Sequence, residues 1–415
     1  MTDSPLITCV IPTRERCDTL GATIRTCIMQ DYDNMEIIIS DNFSQDETKK
    51  VVESFDDKRI IYVNTGRRLS MSHNWEFALS YVTGDYVTFL GDDDALLPGA
   101  LKELAKIISE TKCEAISWRW ASYYWPNCIL DSSRNLLLTP LSGALCKRLT
   151  SKTLRDVLEF KVGYSELPFL YKGIVSTKLI SRIKEQSEGN FFHSQTPDVY
   201  SAIVIALALE TYYYSTMPYS VNGTSAHSNG ASQFMCNVTQ NQSAAALFMS
   251  EDNIPFHEQL YLVPSMPVLV AECYLQARDH FPTSCKFQMD LKNVISAALT
   301  EVLHASDTRC KEVVKAIREI GKMNSISDYA ESEIEKFKPI PYEKTVALVP
   351  GYNFVSRHFI VDCSQLGIQD ICQASLLCGL LLNHRGIGLK LSISEIIRTS
   401  VKIAKNLLLR WQNCL

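Results

Sequence analysis

The chain of 415 residues predicts an α/β fold, a parallel-type sheet with crossover helices, followed by a second, mostly α-helical domain. Three observations carry that prediction. Short apolar runs recur at Leu6–Ile11, Glu36–Ser40, Arg59–Asn64 and Tyr86–Leu90, as buried strands do. Between them, Leu20–Gln30, Lys49–Phe55 and Met71–Val82 space their apolar residues as helices do, with Asp46 a cap for the second. Beyond residue 235 the pattern changes to helical spacing in Phe256–Gln276, Met289–Leu303, Cys310–Ile320 and Ile326–Phe337. This divides the chain into residues 1–235 and 236–415.

In a parallel sheet the carboxyl ends of the strands converge on one edge, where ligands bind. Here those ends carry Thr13-Arg14, Asp41-Asn42 and Asp92-Asp93-Asp94. The third is the most informative. After Tyr86–Leu90 the chain stops at Gly91 and delivers three adjacent carboxylates, which repel one another unless a cation neutralises them. A solvated turn of Asp and Gly is the plain alternative. With three polar strand ends on one edge, a divalent-metal site for a phosphate-bearing ligand accounts for more of the chain. Neither GxGxxG nor GxxxxGK[ST] occurs, so metal and basic side chains (Arg67, Arg68 and His73 are the local ones) must hold the phosphates.

Composition narrows the partners. Net charge is -5 and hydrophobic residues make up 46%, which excludes nucleic-acid binding by bulk electrostatics. The fourteen cysteines show no zinc-ligand spacing and read as free thiols in a reducing cytoplasm. The start MTDSPLITCVIP lacks the basic region and apolar core of a signal peptide, and no apolar stretch is long enough for a membrane span. The expected place is the cytoplasm, with a peripheral position on the inner face of the plasma membrane open to it. Ile393–Trp411 is a basic amphipathic helix suited to a membrane surface or a partner subunit, including a second copy of the chain.

The runs IPTRER, EIIISDNFSQDET and NTGRRLSMSHNWEFALSYVTGDYVTFLGDDDALLPGAL, in that order, resemble the family 2 glycosyltransferases with the GT-A fold. The resemblance covers Leu6 to about Leu104. It implies a Rossmann-like mixed sheet and an inverting transfer from a nucleotide-sugar, typically a UDP-sugar, with Mn²⁺ or Mg²⁺. It implies that Pro12, Thr13 and Arg14 lie against base and ribose, that Asp41 with Asn42 beside it meets the uracil, and that His73 and Asn74 lie near the diphosphate. Asp92 and Asp93 would contact the donor, and Asp92 and Asp94, with His227 from the loop Tyr219–Gly230, the metal. Gly91 and His73 depart from the family, which usually has Asp and Arg there.

Asp198 opens the apolar stretch Val199–Leu209 after the helix-start signal Thr196-Pro197, so it sits in a first turn where the helix dipole favours a carboxylate. An N-terminal helix acid with no other role is the plain reading. By its place after the acidic run it resembles the family's catalytic base. The acceptor implied is a hydroxyl of a glycan or lipid-linked glycan, in capsule or O-antigen-like assembly. Trp118, Trp120, Tyr123, Tyr124 and Trp125 suit either a sugar platform or core packing, and core packing is the simpler expectation. A sugar nucleotidyltransferase would need a glycine-rich basic loop after the first strand, which CVIPTRER lacks. A non-catalytic scaffold with a decayed donor site is the other alternative.

Overall fold

A computed structural model of the chain describes residues 4–141, 143–228, 251–340, 348–353 and 357–383. Strands β1 (Ile7–Thr13), β2 (Met35–Asp41), β3 (Ile60–Asn64) and β4 (Tyr86–Phe89) alternate with helices α1 (Leu20–Ile28), α2 (Thr48–Glu53) and α3 (Met71–Leu79). β1 lies between β2 and β4 and runs parallel to both, with Thr13 level with Asp41 and Val10 level with Phe89. β3 pairs parallel with the outer side of β2. Every residue of β2 is buried, and every residue of β1 except Pro12, which is why both read as unbroken apolar runs. The cap position of α2 is Glu47, one residue after the expected Asp46, whose side chain accepts the Thr48 N–H at 3.0 Å.

The order β3-β2-β1-β4 puts a topological switch point between β1 and β4. The chain winds from β1 outward through β2 and β3 and then returns on the other side. Ligands of open α/β sheets bind at such a point, and the strand ends beside it carry Thr13-Arg14 and Asp92–Asp94.

After β4 the sheet becomes mixed. The elements that follow are β5 (Ala95–Leu96), α4 (Ala100–Thr111), β6 (Ala115–Trp118), β7 (Ala121–Tyr124), β8 (Leu136–Pro140), β9 (Leu145–Leu149) and α5 (Thr150–Leu158). Then come β10 (Gly173–Ser176), α6 (Thr177–Glu185), α7 (Pro197–Ala208), β11 (Thr211–Ser215) and β12 (Ser220–Thr224). β10 inserts antiparallel between β4 and β6, giving an eight-stranded sheet in the order β3-β2-β1-β4-β10-β6-β11-β9. β12 is a correction to the sequence reading, which made Tyr219–Gly230 a loop. Asn222-Gly223 has no alternating apolar pattern, yet β12 pairs parallel with β7 and antiparallel with β5.

The helical region contains α8 (Met266–His280), α9 (Leu291–Glu301), α10 (Asp307–Met323) and α11 (Ser327–Lys336). The helix expected from Phe256 begins only at Met266, because Pro267 lacks an N–H and fits only the first turn. α8 lies against α7, and Val204 and Tyr200 of α7 share one core with Val10, Phe89, Val268, Tyr274 and Ile317. The chain then returns to its beginning. β13 (Gly351–Asn353) and β14 (His358–Asp362) complete a second sheet, β13-β14-β8-β7-β12-β5. α12 (Ile371–Asn383) packs its Leu377 and Leu381 with Ala22, Leu97 and Tyr123. The boundary at 235 and the segment Ile393–Trp411 lie outside the described residues. Cysteines among the described residues are free, and Cys9, Cys27 and Cys378 are core residues.

Candidate active site

The three acids after β4 have different surroundings. Asp94 is fully buried. Its Oδ1 accepts the Gly223 N–H at 2.7 Å, and its Oδ2 accepts the Tyr171 hydroxyl at 2.6 Å and the Gly91 N–H at 3.1 Å. Burial raises its pKa, against the pull of Lys172. A Cβ at position 91 would lie 2.8 Å from Asp94 Oδ2, so glycine there lets the Asp94 carboxylate turn back onto the backbone. Asp93, also buried, accepts the Ser225 hydroxyl at 2.7 Å and the Ser225 N–H at 3.2 Å on Oδ2, and its carbonyl accepts Trp125 Nε1–H at 3.0 Å. Asp92 is half-buried. Burial pushes its pKa up to about 6, against the pull of the Arg16 guanidinium.

Arg16 also donates to Ser225 Oγ at 3.1 Å and to the carbonyl of His227. The His227 backbone is thereby held by Arg16, and its side chain is exposed. Among the described residues no three His, Cys, Asp or Glu side chains converge as a complete metal cage. The donor set nonetheless suits a hard divalent ion. Asp94 is committed to the protein, but Asp92 and Asp93 Oδ1 are not, and Mg²⁺-type ions are commonly held by one or two carboxylates plus substrate phosphates.

At the β2 end, Asp41 is buried, with Oδ2 accepting from Tyr62 Oη at 2.5 Å and Asn64 Nδ2 at 3.1 Å, and Oδ1 accepting from Ser44 N at 2.9 Å. Asn42 clamps Leu69 through both its carbonyl and its N–H, at 2.7 and 2.8 Å, and so fixes the Arg67-Arg68 loop. Asn74 is buried and accepts from Ser40 Oγ at 2.8 Å, which seats α3 on β2. His73 is exposed beside the cap residue Ser70, with Nδ1 and Oγ 2.8 Å apart. Arg67, Arg68, Ser70, His73, Glu251 and Asp252 surround a cavity of about 690 Å³. Glu251 pairs with Arg14 and, at 3.2 Å, with Arg68. Pro12 is half-buried, and the buried Thr13 hydroxyl lies near Asp92 but outside hydrogen-bonding geometry.

Asp198 lies in the first turn of α7, as its sequence context predicts. Its Oδ2 accepts the Tyr164 hydroxyl at 2.7 Å. Burial raises its pKa, against the Tyr164 hydrogen bond and Lys172. Burial lowers the pKa of Lys172, against the pull of Asp94, Asp93 and Asp198. The sequence reading missed Tyr164, Tyr171, Lys172 and Glu251. Their only signal was a place in the irregular stretch between Asp131 and Ser187, or beyond the family pattern altogether. Among the aromatics, Trp118, Tyr123 and Trp125 are core residues, as packing predicted, whereas the half-buried Trp120 faces Lys172.

Residues 8–153 match the family model described as glycosyl transferase family 2. The GalNAc(5)-diNAcBac-PP-undecaprenol beta-1,3-glucosyltransferase of Campylobacter jejuni is 30% identical over 189 residues, 45% of this chain and 57% of that protein. The UDP-Glc:alpha-D-GlcNAc-diphosphoundecaprenol beta-1,3-glucosyltransferase WfaP of Escherichia coli is 28% identical over 119 residues, 29% and 46% of the two chains. The chain thus spans about half the length of these relatives. The S. aureus TarS crystal structure in complex with UDP-GlcNAc is 14% identical, with a TM-score of 0.47 over 80% of this chain and 91% of that one. The match at residues 8–153 gives that part of the chain as similar to glycosyl transferase family 2, and the same part holds the β1–β4 winding with the acids at its switch point.

Proposed function

We propose that the protein transfers a sugar, with inversion, from a UDP-sugar to a hydroxyl of a lipid-linked glycan during bacterial surface-polysaccharide assembly. The observation that carries this reading is the placement of two acid groups: the cluster Asp92–Asp94 at the switch point, and Asp198, hydrogen-bonded to Tyr164, at the start of α7. The named activities of the relatives, which act on undecaprenol-diphosphate glycans, support the acceptor class. No helix among the described residues is long and apolar enough to cross a membrane.

In this reading the donor lies along the edge formed by Pro12, Thr13, Arg14, Asp41 and Asn42, with its diphosphate toward His73 and the N-terminus of α3, which favours anions. Asp198 takes the proton of the acceptor hydroxyl as that oxygen bonds to the anomeric carbon. The bond from the anomeric carbon to the diphosphate oxygen breaks, and its electron pair leaves with the nucleoside diphosphate. A raised pKa makes Asp198 a better base than an exposed aspartate once it is ionised. Asp92 and Asp93, with His227, would hold Mn²⁺ or Mg²⁺. Such an ion supplies Lewis-acid stabilisation of the departing charge.

The test is release of nucleoside diphosphate from a panel of nucleotide-sugars in Mn²⁺ or Mg²⁺, for wild type, Asp93→Ala and Asp198→Asn. One donor should be turned over by wild type, and Asp198→Asn should lose about 10²–10⁴-fold in kcat with nucleotide binding retained. Wild type that neither turns over nor binds any donor with metal present would overturn the enzyme reading in favour of a scaffold.

A further inference from the structure

Glu272, in α8, is fully buried, and a carboxylate is seldom hidden from water unless donors meet it. Burial pushes its pKa up to about 7, against the hydrogen bonds it receives from Ser194 and Gln276. Its Oε2 accepts the Ser194 hydroxyl at 2.5 Å, and its Oε1 accepts the Gln276 side-chain amide at 2.9 Å. The second bond stays within α8. The first leaves the helix and ends on the segment that leads into α7.

Ser194 is itself fully buried and ties three helices together. Its hydroxyl oxygen accepts the Thr196 N–H at 3.3 Å, and its carbonyl accepts the hydroxyl of Ser72, in the first turn of α3, at 2.6 Å. Thr196 is the cap residue of α7, yet its side chain makes no capping hydrogen bond, so the entry into the helix is held through Ser194 instead. A serine hydroxyl rotates to suit its partners, and Cys273 Sγ lies 3.2 Å away as a competing one. With Glu272 as acceptor the Ser194 hydroxyl points into α8 and leaves its lone pairs for Thr196. Without that acceptor it is free to turn to Cys273. Asp198 follows two residues after Thr196, and His73 adjoins Ser72, so Ser194 sets the base side and the donor side of the proposed reaction against each other.

We propose that Glu272 is a positioning residue of the transfer reaction: acting through Ser194, it fixes the entry of α7 against α3 and thereby the place of Asp198 relative to the donor. The inference rests on the glycosyl-transfer reading above. A small misplacement of a base costs rate far more than donor affinity.

The experiment uses the full chain as Glu272→Met, Glu272→Gln, Ser194→Ala and the double variant Glu272→Met/Ser194→Ala, assayed with the donor that wild type turns over and titrated with UDP in Mn²⁺. Glu272→Met keeps the length of the side chain but offers no oxygen. It should lose about 10- to 100-fold in kcat, with UDP affinity within about threefold of wild type. Glu272→Gln keeps one acceptor oxygen for Ser194 and should keep most of the rate. Ser194→Ala should lose about as much as Glu272→Met, and the double variant no more than either, because both changes break one connection. If Glu272→Met does not fold, the kcat of Ser194→Ala decides. The proposal is overturned by wild-type kcat in folded Glu272→Met or in Ser194→Ala, by loss of UDP binding in place of rate, or by losses that multiply in the double variant. Wild type inactive on every donor removes the transfer reading itself and the inference with it, an outcome distinct from an active wild type matched by Glu272→Met.

Discussion

Asp94 and Asp198 are both carboxylates whose pKa burial raises, and both feel Lys172, yet the protein holds them in opposite ways. Asp94 receives three hydrogen bonds, two from backbone N–H groups of Gly91 and Gly223, and neither oxygen is left over. Asp198 takes the Tyr164 hydroxyl on Oδ2, with backbone N–H groups of the α7 first turn (Asp198 and Val199) beside it. An acid locked by the backbone organises a site, because moving it would leave buried N–H groups unpaired. An acid at a helix start with a hydroxyl partner is less tightly bound in, which suits the base role proposed for Asp198. The contrast distinguishes acids that look alike in the sequence.

The largest effect should come from breaking the locked side. A Cβ at Gly223 would sit 1.7 Å from the Asp93 carbonyl oxygen and 2.8 Å from Trp125 Nε1. None of those atoms is the free end of a flexible chain. Gly223→Ala must therefore push β12 away from the acid turn, releasing the N–H that holds Asp94. We expect a destabilisation of about 3 kcal/mol in chemical denaturation, together with loss of measurable transfer. An alanine variant with wild-type stability would show that the grip of β12 on this turn is dispensable.

That grip also marks how far the site could be read from sequence. Asp92–Asp94 was legible because a strand, a glycine and three acids are contiguous, and so were β1 to β4, whose buried runs are uninterrupted. Asp198 was legible through Pro197, which sets the start of α7. Tyr164, Tyr171 and Lys172 were not, because they matter only through contacts with residues many positions distant, and their own neighbours have no periodic pattern. β12 was hidden for a related reason: Asn222 and Gly223 are turn-like in composition, and only pairing with β5 and β7 makes them a strand. Asp41 and Asn42 stood out as polar strand ends, but what they hold (Tyr62, Asn64, Leu69) is tertiary information.

A smaller, pH-dependent effect sharpens the other side of the contrast. The Tyr164 hydrogen bond opposes the rise that burial imposes on the Asp198 pKa. Removing it in Tyr164→Phe raises that pKa further, so at any given pH below it a smaller fraction of Asp198 is ionised and able to accept a proton. The acid limb of the kcat/KM profile should move to higher pH. The loss should be roughly tenfold on the acid side and absent on the alkaline side, where both enzymes are fully ionised. A profile that drops evenly at all pH values would mean that Tyr164 acts by packing and leaves the base untouched.

The donor edge offers the smallest effect and the opposite sign. Glu251 places a carboxylate on Arg14 and Arg68, two cations that an anionic donor would meet in the proposed reading, beside the cavity that Ser70 and His73 also border. Its side chain is 5% exposed, so the pairing is sheltered from solvent screening on the Glu251 side, although Arg68 is 45% exposed. A diphosphate using those arginines must first take them from Glu251. Glu251→Gln keeps the shape and removes the charge, so UDP in Mg²⁺ should bind about three- to tenfold more tightly by calorimetry. The gain should shrink as salt is raised, because it comes from charge competition at a partly exposed arginine. If the glutamine variant binds UDP no more tightly than wild type at low salt, Glu251 is a structural partner of Arg14 and the donor phosphates rest on other groups.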